Sequence, residues 1–236
     1  MRLILAFVVT SLLFFSLNAQ PVKIMLVTGG HSFDTLQFFQ MFDALEEIEY
    51  IHFAQPRAND VISRGIADDF DVLVFYDMWK EISEREQNAY IDLTKKGKPM
   101  LFLHHALVSY QDWPQFEKFL GGRYIQKRQG VPEAELSTYE HDVWVYVQPA
   151  RNHPVTSGLG NLRFFDEVYG NYRVSDNVVP VLITNHPQSN QIIGWENRFN
   201  NSRIIYLQPG HDKRTYETPD YRQLLLQAIR YLASEN

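Results

Sequence analysis

Four stretches of this chain are apolar at most positions and then break into glycine, histidine or aspartate: residues 22–28 (VKIMLVT), 72–76 (VLVFY), 99–103 (PMLFL) and 203–207 (RIIYL). A half-exposed strand alternates apolar and polar residues, whereas a strand covered on both faces need not. Such runs predict parallel strands buried between two helical layers. The intervening segments agree. Ser32 or Asp34 can cap a helix whose Phe38, Phe42 and Leu45 recur at helical spacing, and residues 50–54 return to strand character. Ser83 and Glu86 have the spacing of a capping box, and Gly97 with Pro99 ends the helix they open. At the other end Thr218 caps a helix with Pro219 in its first position and Tyr221, Leu224, Leu225, Ala228, Ile229 and Leu232 on one face. The expected fold is α/β, a doubly wound and mostly parallel sheet. Residues 121–149 lose the alternation and read as a β-rich insertion beside the sheet, with one strand at 143–147. Further strands are expected at 162–165, 179–184 and 191–195.

Residues 1–19 read differently. Arg2 precedes an apolar stretch too short to span a bilayer, and small or polar residues lead to Ala19. This pattern predicts a signal peptide, residues 1–19, ahead of one domain, residues 20–236, exported to the periplasm or secreted, with no membrane span after cleavage. Removing Arg2 leaves 22 − 1 = 21 basic residues against 28 acidic ones, a net charge of −7. That balance argues against nucleic acid, which requires a concentrated basic surface. The chain has no cysteine, so thiol nucleophiles, thiolate metal sites and disulfides are excluded.

Open α/β sheets bind ligands at the carboxyl ends of their strands. Here those ends carry Gly29-Gly30-His31, Tyr76-Asp77, His104-His105 and Gly210-His211-Asp212. Gly29-Gly30 lacks the spacing of a dinucleotide or phosphate loop, so no nucleotide cofactor is expected. His104 and His105 point to opposite faces if they belong to a strand and both reach the site only if the strand has ended. Asp166-Glu167-Val168-Tyr169 adds a second acidic segment, with Glu167 and Tyr169 on one side and Asp166 on the other; by itself it reads as a solvated strand edge. No serine-hydrolase elbow or HExxH helix is present.

Six segments taken in order resemble the ThuA-like (trehalose utilisation) family, whose fold is similar to class I glutamine amidotransferases: residues 27–31, 97–106, 119–123, 153–159, 166–169, and 203–206 with 210–212. The amidotransferase elbow that carries cysteine falls at Leu103-His104-His105-Ala106, so glutaminase chemistry is excluded. The resemblance implies a small-molecule carbohydrate substrate, a disaccharide or the 3-keto derivative that a partner sugar oxidoreductase makes. A neutral imidazole can remove the acidified C2 proton while the glycosidic oxygen leaves C1. The roles expected are His211 as general base or metal ligand with Asp212 orienting its ring, and His105 and Glu167 as acid/base groups. His31, His105 and His211 are expected to hold a divalent metal such as zinc, and Asp77, His104 and Tyr169 to contact substrate. The competing expectation is a non-catalytic carbohydrate-binding protein that stacks sugars on Trp79, Trp113, Trp144 or Trp195.

Overall fold

The computed structural model describes residues 20–234, so the expected signal peptide lies outside the described residues. Eleven strands are present: β1 Val22–Gly29, β2 Ile48–Ala54, β3 Val72–Asp77, β4 Met100–Leu103, β5 Gly122–Arg123, β6 Thr138–Pro149, β7 Leu162–Gly170, β8 Arg173–Val174, β9 Val179–Thr184, β10 Ile192–Phe199 and β11 Ser202–Leu207. The helices are α1 Thr35–Asp43, α2 Arg57–Ser63, α3 Glu84–Lys95, α4 Gln115–Leu120, α5 Lys213–Tyr216 and α6 Pro219–Ala233. Nine strands form one sheet in the order β2-β1-β3-β4-β11-β10-β9-β6-β7.

The four apolar runs are adjacent in the sheet as β1, β3, β4 and β11, and their pairing is parallel. Their side chains alternate between two cores. Ile24, Leu26, Val72 and Val74 pack toward Phe38 of α1 and Leu225 and Ile229 of α6. Met25, Val27, Leu73 and Phe75 pack toward Val61 of α2, Tyr90 of α3 and Phe116 of α4. A strand sandwiched in this way gains from apolar residues on both sides, which removes the period-2 signal. The capping box at Ser83 and Glu86 is formed, and the Thr218 side chain accepts from the Tyr221 N–H.

The sheet is mixed rather than mostly parallel. From β11 outward, β10, β9, β6 and β7 pair antiparallel. The segment expected beside the sheet belongs to it: β6 runs for 12 residues and pairs with both β7 and β9. Its outer positions are polar or exposed aromatic, which hid its length from hydropathy.

β7 lies five places from β4, roughly 24 Å away in a flat sheet at about 4.8 Å per strand. Glu167 on β7 nevertheless meets His104, next to β4, at 2.9 Å. The antiparallel half therefore coils back across the carboxyl edge of the parallel half.

Candidate functional site

Strand β4 ends at Leu103, and His104 takes a left-handed φ of 47° as the chain enters a 3-10 turn. Release from the strand lets both adjacent imidazoles reach the site region. The His104 ring is fully buried, with Nδ1 2.7 Å from the Gln208 carbonyl oxygen. A carbonyl only accepts, so Nδ1 carries a proton and Nε2 is the ring atom turned to the site. That nitrogen faces Glu167 Oε2 at 2.9 Å, His211 Nδ1 at 3.1 Å and the Tyr169 hydroxyl at 3.0 Å. His211 Nδ1 lies 3.2 Å from the same Glu167 oxygen.

Glu167 is held by its strand and is not a solvated edge: it is 6% exposed. Across β7 the alternation places Glu167 and Tyr169 toward His104 and sends Asp166 the other way. Asp166 accepts from the backbone N–H groups of Gly210 (2.7 Å) and His211 (2.9 Å) and from the Thr215 hydroxyl (2.9 Å). The loop after β11 is fixed further by Tyr216, which donates to the His211 carbonyl. Gly210 has φ 125°, and a Cβ there would stand 2.3 Å from the Tyr221 hydroxyl. Only glycine fits.

Burial alone would raise the Glu167 carboxyl, but its hydrogen bonds to His104 and His211 outweigh this and hold it well below the usual carboxylate range. Burial likewise opposes charge on His211, yet its bond to Glu167 raises it above an ordinary imidazole. His105 goes the other way. It is 2% exposed, neither ring nitrogen has a hydrogen-bond partner, and burial pushes it well below its ordinary value. Its ring lies 4.8 Å from that of His31 and 4.3 Å from that of Tyr76. His31 is lowered too, chiefly by desolvation.

A cleft of about 240 Å³ opens beside these groups, lined by His31, Met78, His105, Val108, Tyr124, Gln126, Tyr139, His141, Glu167 and Tyr169. A larger cleft of about 380 Å³ near Arg128 and Arg173 lies elsewhere, and those cations are paired with Asp112 and Glu135.

Of the expected metal set, only His211 belongs to the group of ligand atoms that converges. His104 and Glu167 supply the other two, in place of His31 and His105. Asp212 does not orient the His211 ring; it caps α5 and bonds the Arg214 backbone N–H and guanidinium. Asp77 does not line the cleft. It belongs to a buried network in which Gln55 Nε2 donates to its Oδ2 (2.9 Å), and burial pushes its carboxyl up to about 7. His141 was missed: its Nδ1 is 3.3 Å from Glu167 Oε1, on a strand whose polar composition gave no signal. Of the four tryptophans, Trp113 and Trp195 are buried in the core, whereas Trp144 is 49% exposed.

Ligand atoms about 2.0–2.2 Å from a divalent ion stand roughly 2.9–3.5 Å apart, depending on coordination geometry. The triangle of 2.9, 3.1 and 3.2 Å fits, and two imidazoles with one carboxylate are a common donor set. The backbone carbonyl on His104 Nδ1 is the outer contact that orients a ligating histidine.

Comparison with known proteins follows the same lines. A family model described as trehalose utilisation, ThuA, matches residues 28–232. The fold is similar to that of a ThuA-like protein from Parabacteroides merdae, with TM-score 0.73 and 17% identity over 91% of each chain. It is similar also to a ThuA-like protein from Bacteroides uniformis, with TM-score 0.70 and 20% identity over 93% of this chain and 94% of that one. A β-galactosidase from Bacillus circulans shares the fold over 31% of its own length and 89% of this chain, with TM-score 0.59 and 9% identity. No curated protein matches.

Proposed function

The chain belongs to the ThuA family, and from that premise we propose that it is an exported, metal-assisted carbohydrate-processing enzyme that cleaves a disaccharide or its 3-keto derivative by elimination. The observation that carries this reading is the meeting of three potential ligand atoms, His104 Nε2, Glu167 Oε2 and His211 Nδ1, beside an imidazole, His105, whose ring nitrogens have no hydrogen-bond partner among the described residues. Such a set is unfavourable without a proton or a cation between its members. A divalent ion such as zinc, held there, would supply Lewis-acid stabilisation to an enolate oxygen.

The protein groups have distinct tasks in this reading. His105 is a neutral imidazole by virtue of its burial, and it takes the C2 proton of a sugar oxidised at C3. The C2–H electron pair delocalises into the C3 carbonyl and then forms the C1–C2 double bond as the C1–O bond breaks. The departing glycosidic oxygen needs a proton, and His31, lining the same cleft with its ring 4.8 Å from that of His105, can relay to it the proton that His105 has taken. Tyr169, its hydroxyl 3.0 Å from His104 Nε2, lines the cleft that receives the sugar. The site occupies the elbow where an amidotransferase-like scaffold would carry cysteine, and no cysteine exists anywhere in the chain to form a thioester.

The test is metal analysis of the purified protein, followed by zinc titration and incubation with 3-keto-trehalose and with trehalose, for wild type, Glu167→Gln and His105→Ala. The expected result is zinc binding lost in Glu167→Gln, and keto-sugar cleavage lost in both variants. Saturable sugar binding without product from either substrate would establish the binding-protein reading instead.

A further inference from the structure

We propose that the cleft beside Trp144 and Tyr146 is a glycan-binding subsite that takes a neutral pyranose ring of an oligosaccharide. Helices α2, α3 and α4 cover one face of the parallel strands, but the same face of β6 is left bare: Trp144 is 49% exposed and Tyr146 61%. Between these rings and the turn after β9 lies a cleft of about 290 Å³, lined also by Gln148, Thr184, Asn185 and His186.

Three observations commit the cleft to a sugar. The indole is held rigid, with the Arg163 guanidinium 3.6 Å from its ring centroid and the Phe165 ring at 5.1 Å, so stacking on it costs little further ordering. Apart from Pro187, the remaining lining is polar and holds no carboxylate, lysine or arginine. The side-chain amides of Gln148 and Asn185 make no hydrogen bond among the described residues. His186 Nδ1 accepts from the Gln188 N–H, which puts the ring proton of the neutral tautomer on Nε2. An aromatic wall with uncharged donors and acceptors at its rim matches the apolar C–H face and hydroxyl edge of a pyranose.

The third observation is continuity. Phe165 and Glu167 are two apart on β7, hence on one face and about 7 Å apart along the strand. Phe165 is the cross-strand partner of Trp144, and Arg214, over the Phe165 ring and paired with Asp142, bridges toward the His211 loop. A chain of sugars seated at Trp144 thus runs along the face that leads to the cleft at His105. The inference deepens the function proposed above, on which it rests for the chemistry at that cleft, by making the substrate an oligosaccharide.

The experiment is binding of the full-length mature protein to a panel of immobilised neutral oligosaccharides, with titration of the best binder in solution. The expected result is binding that weakens about tenfold in Trp144→Ala and is mostly kept in Trp144→Phe. Binding to no member of the panel, or equal binding by Trp144→Ala, overturns the subsite; so does a dimer that Trp144→Ala dissociates, which would make this face a subunit contact. The two readings fail separately. Trp144-dependent binding without turnover of any keto sugar removes the elimination alone, and turnover with Trp144-insensitive binding removes the subsite alone.

Discussion

Two histidine–carboxylate clusters are buried among the described residues, and they differ in what the far ring nitrogen meets. At the carboxyl edge, His104 Nδ1 donates to a backbone carbonyl, which turns Nε2 toward Glu167. On the other side of the fold, His153 Nδ1 accepts from the Val155 N–H, so Nε2 bears the proton and donates to Glu196 Oε2 at 3.1 Å. Glu196 also accepts from the Tyr231 hydroxyl at 2.8 Å and is paired with Arg203 at 3.5 Å. The second cluster is satisfied by donors on Glu196 Oε2 and ties β10 to the loop before β7. At the first cluster three atoms able to ligate converge on one another, held by protons that a cation can replace. The same residue types become structural or functional according to whether the far ring nitrogen meets N–H or C=O.

The contrast can be broken most forcefully at Glu196. Replacing it by alanine removes a buried carboxylate from His153, Tyr231 and the Arg203 guanidinium at once, and denaturant unfolding should show a loss of about 3–5 kcal/mol, with zinc uptake unchanged. Glu167→Gln should act chiefly on zinc. Zinc affinity, read by competition with a chromogenic chelator, should fall by at least about a hundredfold, the upper scale for loss of mere outer contacts. The melting temperature of the metal-free protein should fall, by less than in Glu196→Ala, because the amide oxygen can still accept from the neighbouring imidazoles.

The third test is pH. Burial works to raise the Glu196 carboxyl, but His153, Tyr231 and the two arginines prevail and lower it from its ordinary 4.5. A carboxyl lowered on folding adds stability that is complete above its unfolded value and is lost as pH falls through the folded one. The melting temperature of wild type should therefore drop as pH falls below about 4.5, and Glu196→Gln should flatten that acid limb. The smallest effect is expected of His141→Ala. His141 touches Glu167 Oε1 at 3.3 Å from a half-exposed position where water can replace it, so zinc affinity should change less than about tenfold.

The parallel half of the fold was legible in the sequence because burial on both faces writes itself as unbroken apolar runs. The same runs located the strand ends, and with them His31, His104, His105 and His211. The antiparallel half was not legible to the same degree. Its outer face carries Glu140, Asp142 and Gln148, so β6 read as a short strand in an insertion, and β7 was cut at Phe165 where Asp166-Glu167 begins. By local pattern alone those two carboxylates read as a solvated edge, because nothing local tells a charged residue on a strand that the sheet will coil over it; the family resemblance alone gives Glu167 a site role. The tautomers were beyond reach for another reason. They depend on the backbone of Gln208, 104 residues away from His104 in sequence.

The coiling of the sheet has a mechanical consequence. Because the donor triad closes a gap that a flat sheet would hold open, it acts as a clasp between the central strands β4 and β11 and the edge strand β7 of a ribbon. Strands β9 and β10 lend no side chain to that clasp, yet they set how far the ribbon bends. Packing changes at Leu182 or Ile193, remote from every ligand atom, should loosen the clasp through curvature alone.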